Sequence, residues 1–254
     1  MTKRFFTLVL LVTVFVSQAW ASTFKLDRHR VVLDQDMRRG ELRIYNTSDS
    51  LQSYRISLID MQMDKEGILK FAQQYEFSAK PYLRVGPRVA KDVLPKQFQK
   101  VRLMKKGKIP EGEFRAHLMV EALSGDDPTE QSGAIQVKAN YKVVIPVFIK
   151  NTSSVTELSI GDITFSKDAS NLIVRLNKQG PGHTSANLVV KEAEEELFRV
   201  NQFSLYPELS QRDMTLPIEY KEVASKKLTI QLEDVESKEP LKTLDVTITE
   251  DLLK

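Results

Sequence analysis

The sequence predicts an all-β protein built as two β-sandwich domains, and three observations carry that prediction. Helical periodicity is scarce, short β-rich runs recur between polar turns, and the habit continues through both halves of the chain. Composition permits it: of 254 residues, 41% are hydrophobic and 28% charged, which is enough to bury a core and unlike a disordered tail or a polytopic membrane protein. Cysteine is absent, which excludes disulfide staples, thiol catalysis, a zinc ribbon and a lipid-anchored N-terminal Cys. The fold has to stand on its core alone.

Residues 1 to 21 stand apart. They hold no acid, place Lys3 and Arg4 ahead of the apolar run Phe5 to Val16, and end in Ala19-Trp20-Ala21, the pattern of a secretory signal with cleavage before Ser22. The run is about 12 residues, short of the roughly 20 a membrane-spanning helix needs, and no second stretch of that length follows, so no membrane insertion is expected. Removing 21 residues leaves 233, and losing Lys3 and Arg4 takes the formal net charge from +3 to about +1. That balance gives no support to a nucleic-acid partner or an anionic membrane. A length of 233 suggests two domains.

In chain order the first half offers strands at Phe24 to Leu33, Glu41 to Tyr45, Ser53 to Met61, Tyr82 to Val85, Phe98 to Met104, Phe114 to Leu123 and Ile135 to Ile149. Seven is the number that an immunoglobulin-like sandwich needs. The second half repeats the habit at Glu157 to Phe165, Asn171 to Leu176, Ala186 to Val190, Leu197 to Leu205, Lys227 to Leu232 and Leu244 to Thr249. The polar stretch from Lys150 to Ser154 follows the most apolar strand and marks the break. Expected domains are thus 22–150 and 151–254.

The last strand of the first half carries the functional argument. Every odd position from 135 to 149 is apolar: Ile135, Val137, Ala139, Tyr141, Val143, Ile145, Val147 and Ile149. The even positions Gln136, Lys138, Asn140 and Lys142 are polar, and only then do Val144, Pro146 and Phe148 turn the strand apolar on both faces. At 3.3 Å per residue, about 15 residues extend roughly 50 Å, far beyond an ordinary strand, so the N-terminal part is expected to project beyond its own sandwich. An apolar row on a projecting edge invites a foreign strand. A long hairpin strand facing its own core is the plainer reading of the same periodicity.

A succession of segments then narrows the choice: Leu26-Asp27-Arg28-His29-Arg30-Val31-Val32-Leu33, Ile44-Tyr45-Asn46-Thr47-Ser48, Pro95 with Val101-Arg102-Leu103, Ile109-Pro110-Glu111-Gly112-Glu113-Phe114-Arg115-Ala116-His117-Leu118, and Ile145-Pro146-Val147-Phe148-Ile149-Lys150. It resembles the periplasmic pilus chaperones of the chaperone/usher pathway, with segments closer to their archaic or divergent branch. The resemblance covers the first domain in order and is weak in the second. It implies two immunoglobulin-like β-sandwich domains in a boomerang arrangement and a non-enzymatic protein with no nucleotide, metal or other cofactor. It also implies that the strand at 135–149 is donated to pilin or fimbrial subunits lacking their own last strand, which are then handed to an outer-membrane usher. The row Ile135, Val137, Ala139, Tyr141 and Val143 is what such donation requires, and self-association through the same strand is a further partner expectation. The family's carboxylate-anchoring Arg falls on Arg30. Its Lys does not recur: Pro146 stands there, and Lys142, about 13 Å earlier on the strand, is the nearest substitute. Arg102 and Arg115 are expected in structural ion pairs, Arg115 with Glu113 for instance.

Other signals are weak. His29, His117 and His183 are the only histidines and stand at no metal-ligand spacing. No nucleophile elbow, phosphate loop or dinucleotide fingerprint is present. The acids at 192, 194, 195 and 196 read as a solvated turn. The expectation is therefore a periplasmic assembly chaperone, with a secreted two-sandwich structural protein or adhesin as the alternative and a secreted hydrolase well behind.

Overall fold

The computed structural model describes residues 23–123 and 141–253. The expected signal at 1–21 lies outside them. The first sandwich is built from β1 (Phe24–Leu26), β2 (Val31–Leu33), β3 (Arg39–Asn46), β4 (Gln52–Ile59), a small hairpin of β5 (Met61–Met63) and β6 (Leu69–Phe71), β7 (Leu83–Gly86), β8 (Val89–Val93), β9 (Phe98–Lys105), β10 (Gly112–Leu123) and β11 (Lys142–Asn151). One sheet has the order β1-β3-β9-β7 and the other β2-β11-β10-β4-β8. Period-two alternation decides which faces meet: Leu42 and Ile44 of β3 and Val101 and Leu103 of β9 point inward and are fully buried, whereas Glu41, Arg43, Lys100 and Arg102 point outward. Tyr54, Ile56, Leu118, Val120, Val147 and Ile149 meet them from the second sheet. Each such side chain contributes about 1.5–3 kcal/mol of burial.

At two places in this domain a short run of chain is divided between the two sheets. The run from Phe24 to Leu33, expected as one strand, is two: β1 pairs with β3, and β2 pairs in parallel with β11. Asp27 ends β1 by accepting the Arg43 N–H at 2.9 Å on its side chain while donating its own N–H to the Arg43 carbonyl at 3.2 Å. On the opposite border β7 pairs with β9 and β8 pairs with β4. Pro87, which has no N–H, stands between those two strands and prevents a continuous ladder.

The second sandwich packs a sheet of β12 (Glu157–Phe165), β13 (Leu172–Gln179) and β16 (Gln211–Leu216) on a sheet of β15 (Glu195–Leu205), β14 (Thr184–Glu192), β17 (Lys227–Glu233) and β18 (Pro240–Thr247). Phe165, Leu172, Val174, Leu176, Leu188 and Ile230 are the centre of its core. The acidic run at 192–196 forms the hairpin turn between β14 and β15, where Glu192 stands opposite Glu195. Two of its carboxylates accept hydrogen bonds, Glu196 from Arg199 at 2.7 Å and Glu192 from the Ser225 N–H. No described helix is long and apolar enough to cross a membrane, and no group of three or more metal-ligating side chains occurs among the described residues.

Where the sandwiches meet, Arg115 of β10 is fully buried. Its Nη2 donates to Glu208 Oε1 at 2.8 Å and to the Met61 carbonyl at 2.7 Å, and its guanidinium lies 3.6 Å from the ring centre of Tyr206. Glu208 also accepts from the Met63 N–H at 2.8 Å and the Tyr75 hydroxyl at 2.7 Å. The expected pairing of Arg115 with Glu113 is therefore corrected. Two residues apart on a strand they stand about 7 Å from each other, and each meets a partner brought in by the second sandwich. For Glu113 it is His183, whose N–H and Nδ1 lie 2.9 and 2.7 Å from Oε1. Arg102 does form a surface pair, with Glu41 at 3.2 Å.

His117, two residues beyond Arg115, is 1% exposed and neither ring nitrogen has a hydrogen-bond partner. Burial, reinforced by the Arg115 charge, pushes its pKa down to about 3. In the unfolded chain the imidazole titrates near its ordinary 6.5, so between those values the unfolded state binds the extra proton. Its contribution to stability is complete above pH 6.5 and is lost as pH falls towards 3. Wild-type urea midpoints should therefore drop between pH 7 and 4.5 by more than those of His117→Leu. Parallel pH curves for the two proteins would refute this.

Candidate functional site: an open strand edge beside a basic cleft

Of the expected donor row, Ile135, Val137 and Ala139 lie outside the described residues, and Tyr141 and Val143 lie within them. The row leaves the core gradually. Val147 and Ile149 are fully buried, Ile145 is 4% exposed, Val143 packs partly buried against the same core, and Tyr141 is 42% exposed. Tyr141 still touches the domain, its ring edge-on to Phe24 at 5.1 Å between centroids. On the other face Lys142 and Val144 are exposed, whereas Phe148 is buried among Met63, Tyr206 and Leu209 under the second sandwich.

The backbone explains why this strand is half open. Tyr141 accepts the Ala122 N–H at 3.0 Å, so residues 141, 143 and 145 turn their N–H and C=O groups towards β10, and 142, 144 and 146 turn theirs away. On that outward side β2 covers only Val147 to Ile149. Among the described residues, no strand pairs with the outer edge of Lys142 to Pro146. Lys142 and Val144 offer donors and acceptors there; Pro146 offers only its carbonyl.

Next to this edge the two sandwiches enclose a cleft of about 180 Å³, lined by His29, Arg30, Pro146, Phe148, His183, Ser204 and Tyr206 among others. Arg30 is exposed and forms no ion pair among the described residues. The His183 ring stacks on Phe148 at 4.0 Å with 12° between planes, held there by Glu113. Lys142 is elsewhere: its Nζ is 3.0 Å from Glu121 Oε1, and Arg55 holds the other oxygen at 3.4 Å. The Lys142 hydrogen bond, ahead of the charge of both cations, keeps the Glu121 carboxyl below the usual carboxylate range. The two anchor candidates are thus not brought together. His183 and Tyr206 escaped sequence reasoning because they arrive from the other domain, and no local spacing signals that contact.

The sequence matches no protein-family model and no curated protein. Among solved structures, the chain aligns over 90% of its length with all of a chain from the chaperone–tip adhesion subunit pre-assembly complex of archaic chaperone–usher Csu pili of Acinetobacter baumannii, with a TM-score of 0.55 at 14% identity. The CupB2 chaperone of Pseudomonas aeruginosa aligns over its whole length with 89% of this chain, at TM-score 0.52 and 13% identity. The fold is that of the pilus chaperones. A chain of the Salmonella enterica complex between the SafA pilin and the SafB chaperone extends the likeness, with 92% of this chain, 99% of that one, TM-score 0.52 and 12% identity. All three cover both sandwiches, so the pilus-chaperone fold includes the second domain, where the sequence resemblance is weak.

The pairing pattern separates two neighbours on β11. Lys142→Ala removes one exposed ion pair, worth little in water, and should leave the urea midpoint of the protein nearly unchanged. Val143→Ala should lower it measurably, since Val143 packs on the core. Equal midpoints for both variants would mean that β11 leaves the core earlier than described.

Proposed function

We propose that this protein is a periplasmic, non-enzymatic chaperone that stabilises pilus or fimbrial subunits by lending them β11 and the row preceding it, and delivers them to an outer-membrane usher. The observation that carries the proposal is the open outer edge of Lys142 to Pro146, on a strand whose inward row passes from the fully buried Val147 to Tyr141 at 42% exposure. A subunit that lacks a strand needs both parts. Backbone groups of Lys142 and Val144 supply register and about 2–6 kcal/mol over four hydrogen bonds, and the apolar row supplies burial. Nanomolar capture needs about 12 kcal/mol after ordering costs, so most of the remainder falls to the side chains of Ile135, Val137, Ala139 and Tyr141. Arg30 is the subunit's carboxylate anchor in this reading and Lys142 has no part in it, since Lys142 is committed to Glu121.

Two measurements test this. Val144→Pro deletes an N–H that faces away from β10, so the free protein should keep its fold while capture of a co-expressed subunit falls at least tenfold. Undiminished capture would remove the strand-lending mechanism. Arg30→Ala should weaken capture by a similar factor through loss of a charge-assisted hydrogen bond of about 1.5–3 kcal/mol. Equal capture by wild type and Arg30→Ala would leave Arg30 as an ordinary solvated side chain.

A further inference from the structure

The sheet change that opens the β11 edge has a counterpart on the opposite border of the same domain. β8 pairs with β4 only as far as Arg55, and the last bond on that side runs from the Ile56 N–H to the Arg88 carbonyl at 2.8 Å. Ile56 and Leu58 therefore turn their backbone groups away from β10, and beyond Ile56 no strand meets them among the described residues. Across the gap, β7 is the last strand of its sheet. The Tyr82 carbonyl accepts the Lys106 N–H at 2.9 Å, which directs Arg84 towards β9 and turns the Val85 N–H and C=O outward. Two bare edges thus border one seam.

The seam is a cleft of about 250 Å³. Its floor is apolar, with Leu58, Leu83 and Val85, and its rim is cationic, with Lys80, Arg88 and Lys106. Lys80 is shared with Asp60 at 3.2 Å, but Arg88 and Lys106 are exposed and form no ion pair among the described residues. Bare strand edges call for an extended backbone, the apolar floor for side chains on alternate positions, and the unneutralised rim for carboxylates between them. We propose that the seam between β4 and β7 is a second docking slot, taking a short extended acidic peptide. A strand of four residues limits it to about that length of peptide. The slot does not depend on the function proposed for β11.

The probe is a fluorescein-labelled heptapeptide with Leu and Val at alternate central positions and Glu or Asp elsewhere, titrated into the full-length mature protein by fluorescence anisotropy. Binding should weaken at least tenfold in the Arg88→Glu/Lys106→Glu double variant, whose changes are on the surface and should leave the urea midpoint unchanged. It should weaken equally for a peptide N-methylated at alternate residues. Hydrogen exchange of the Leu58 and Val85 amides should slow on binding. Absence of binding, undiminished binding of the N-methylated peptide, or displacement by octanoate at the peptide's own concentration would overturn the proposal. Protection appearing at Val144 instead would also overturn it, since the peptide would then have added to β11.

Discussion

Every buried backbone group in a sheet needs a partner, and the two places where a short run of the first domain is divided between its sheets, β1 with β2 and β7 with β8, decide where that requirement goes unmet. At one border β1 leaves for β3 and returns as β2 to cover just three residues of β11. A single uninterrupted first strand would have run along more of β11 and closed its edge. At the other border β7 and β8 divide one strand's length between the two sheets. The core, the open edge and the seam all follow from the same topology: the interior is completed by strands that each cover part of two sheets, and the cost is unpaired backbone at the rims.

The second constraint is the charge buried between the domains. Arg115 is held by one carboxylate, one carbonyl and an aromatic face, and its Nε and Nη1 have no hydrogen-bond partner. Breaking such a pair by removing one member typically costs about 3–5 kcal/mol, because the other charge is left buried. Glu208 therefore ties the second sandwich to β10 at a fixed place. The tie reaches the cleft, since β10 also carries Glu113, which positions the His183 ring over Phe148. The arrangement of the cleft beside the open edge is a property of both domains together.

How much of this could be read from the chain depends on the range of the physics involved. Alternation is local, and it was legible: β3, β9, β10 and β13 stand close to where period-two patterning puts them, and so does the part of β11 from Lys142 on, the expected residues 135–140 lying outside the described ones. So was the gradual exit of β11 from the core, because polar residues appear on its even positions before the apolar ones do. The break between β1 and β2 was missed because Asp27 to Arg30 contains neither Gly nor Pro; four consecutive polar residues were the available signal. β8 was missed for its short, partly charged run, and β16 because Gln211 to Asp213 offer no apolar alternation. The partners of Arg115 and Glu113 were illegible in principle. Glu208 and His183 lie 93 and 70 residues away, and the sequence holds two equally spaced charges that look like a pair.

Pro146 has no N–H to donate and stands at the boundary between the part of β11 that β2 covers and the part that, among the described residues, no strand covers. It also works as a ruler. A strand adding to the outer edge finds N–H groups at Lys142 and Val144 and none at Pro146, and one residue further on the edge is occupied by β2. The ladder therefore has a fixed last rung. A partner cannot creep towards the cleft by two residues without losing a hydrogen bond and colliding with β2, so its end is placed at a constant distance from Arg30 whatever its side chains are. Length discrimination of this kind needs no pocket and no charge; it comes from one imino acid in a strand whose other side pairs with β10 without interruption.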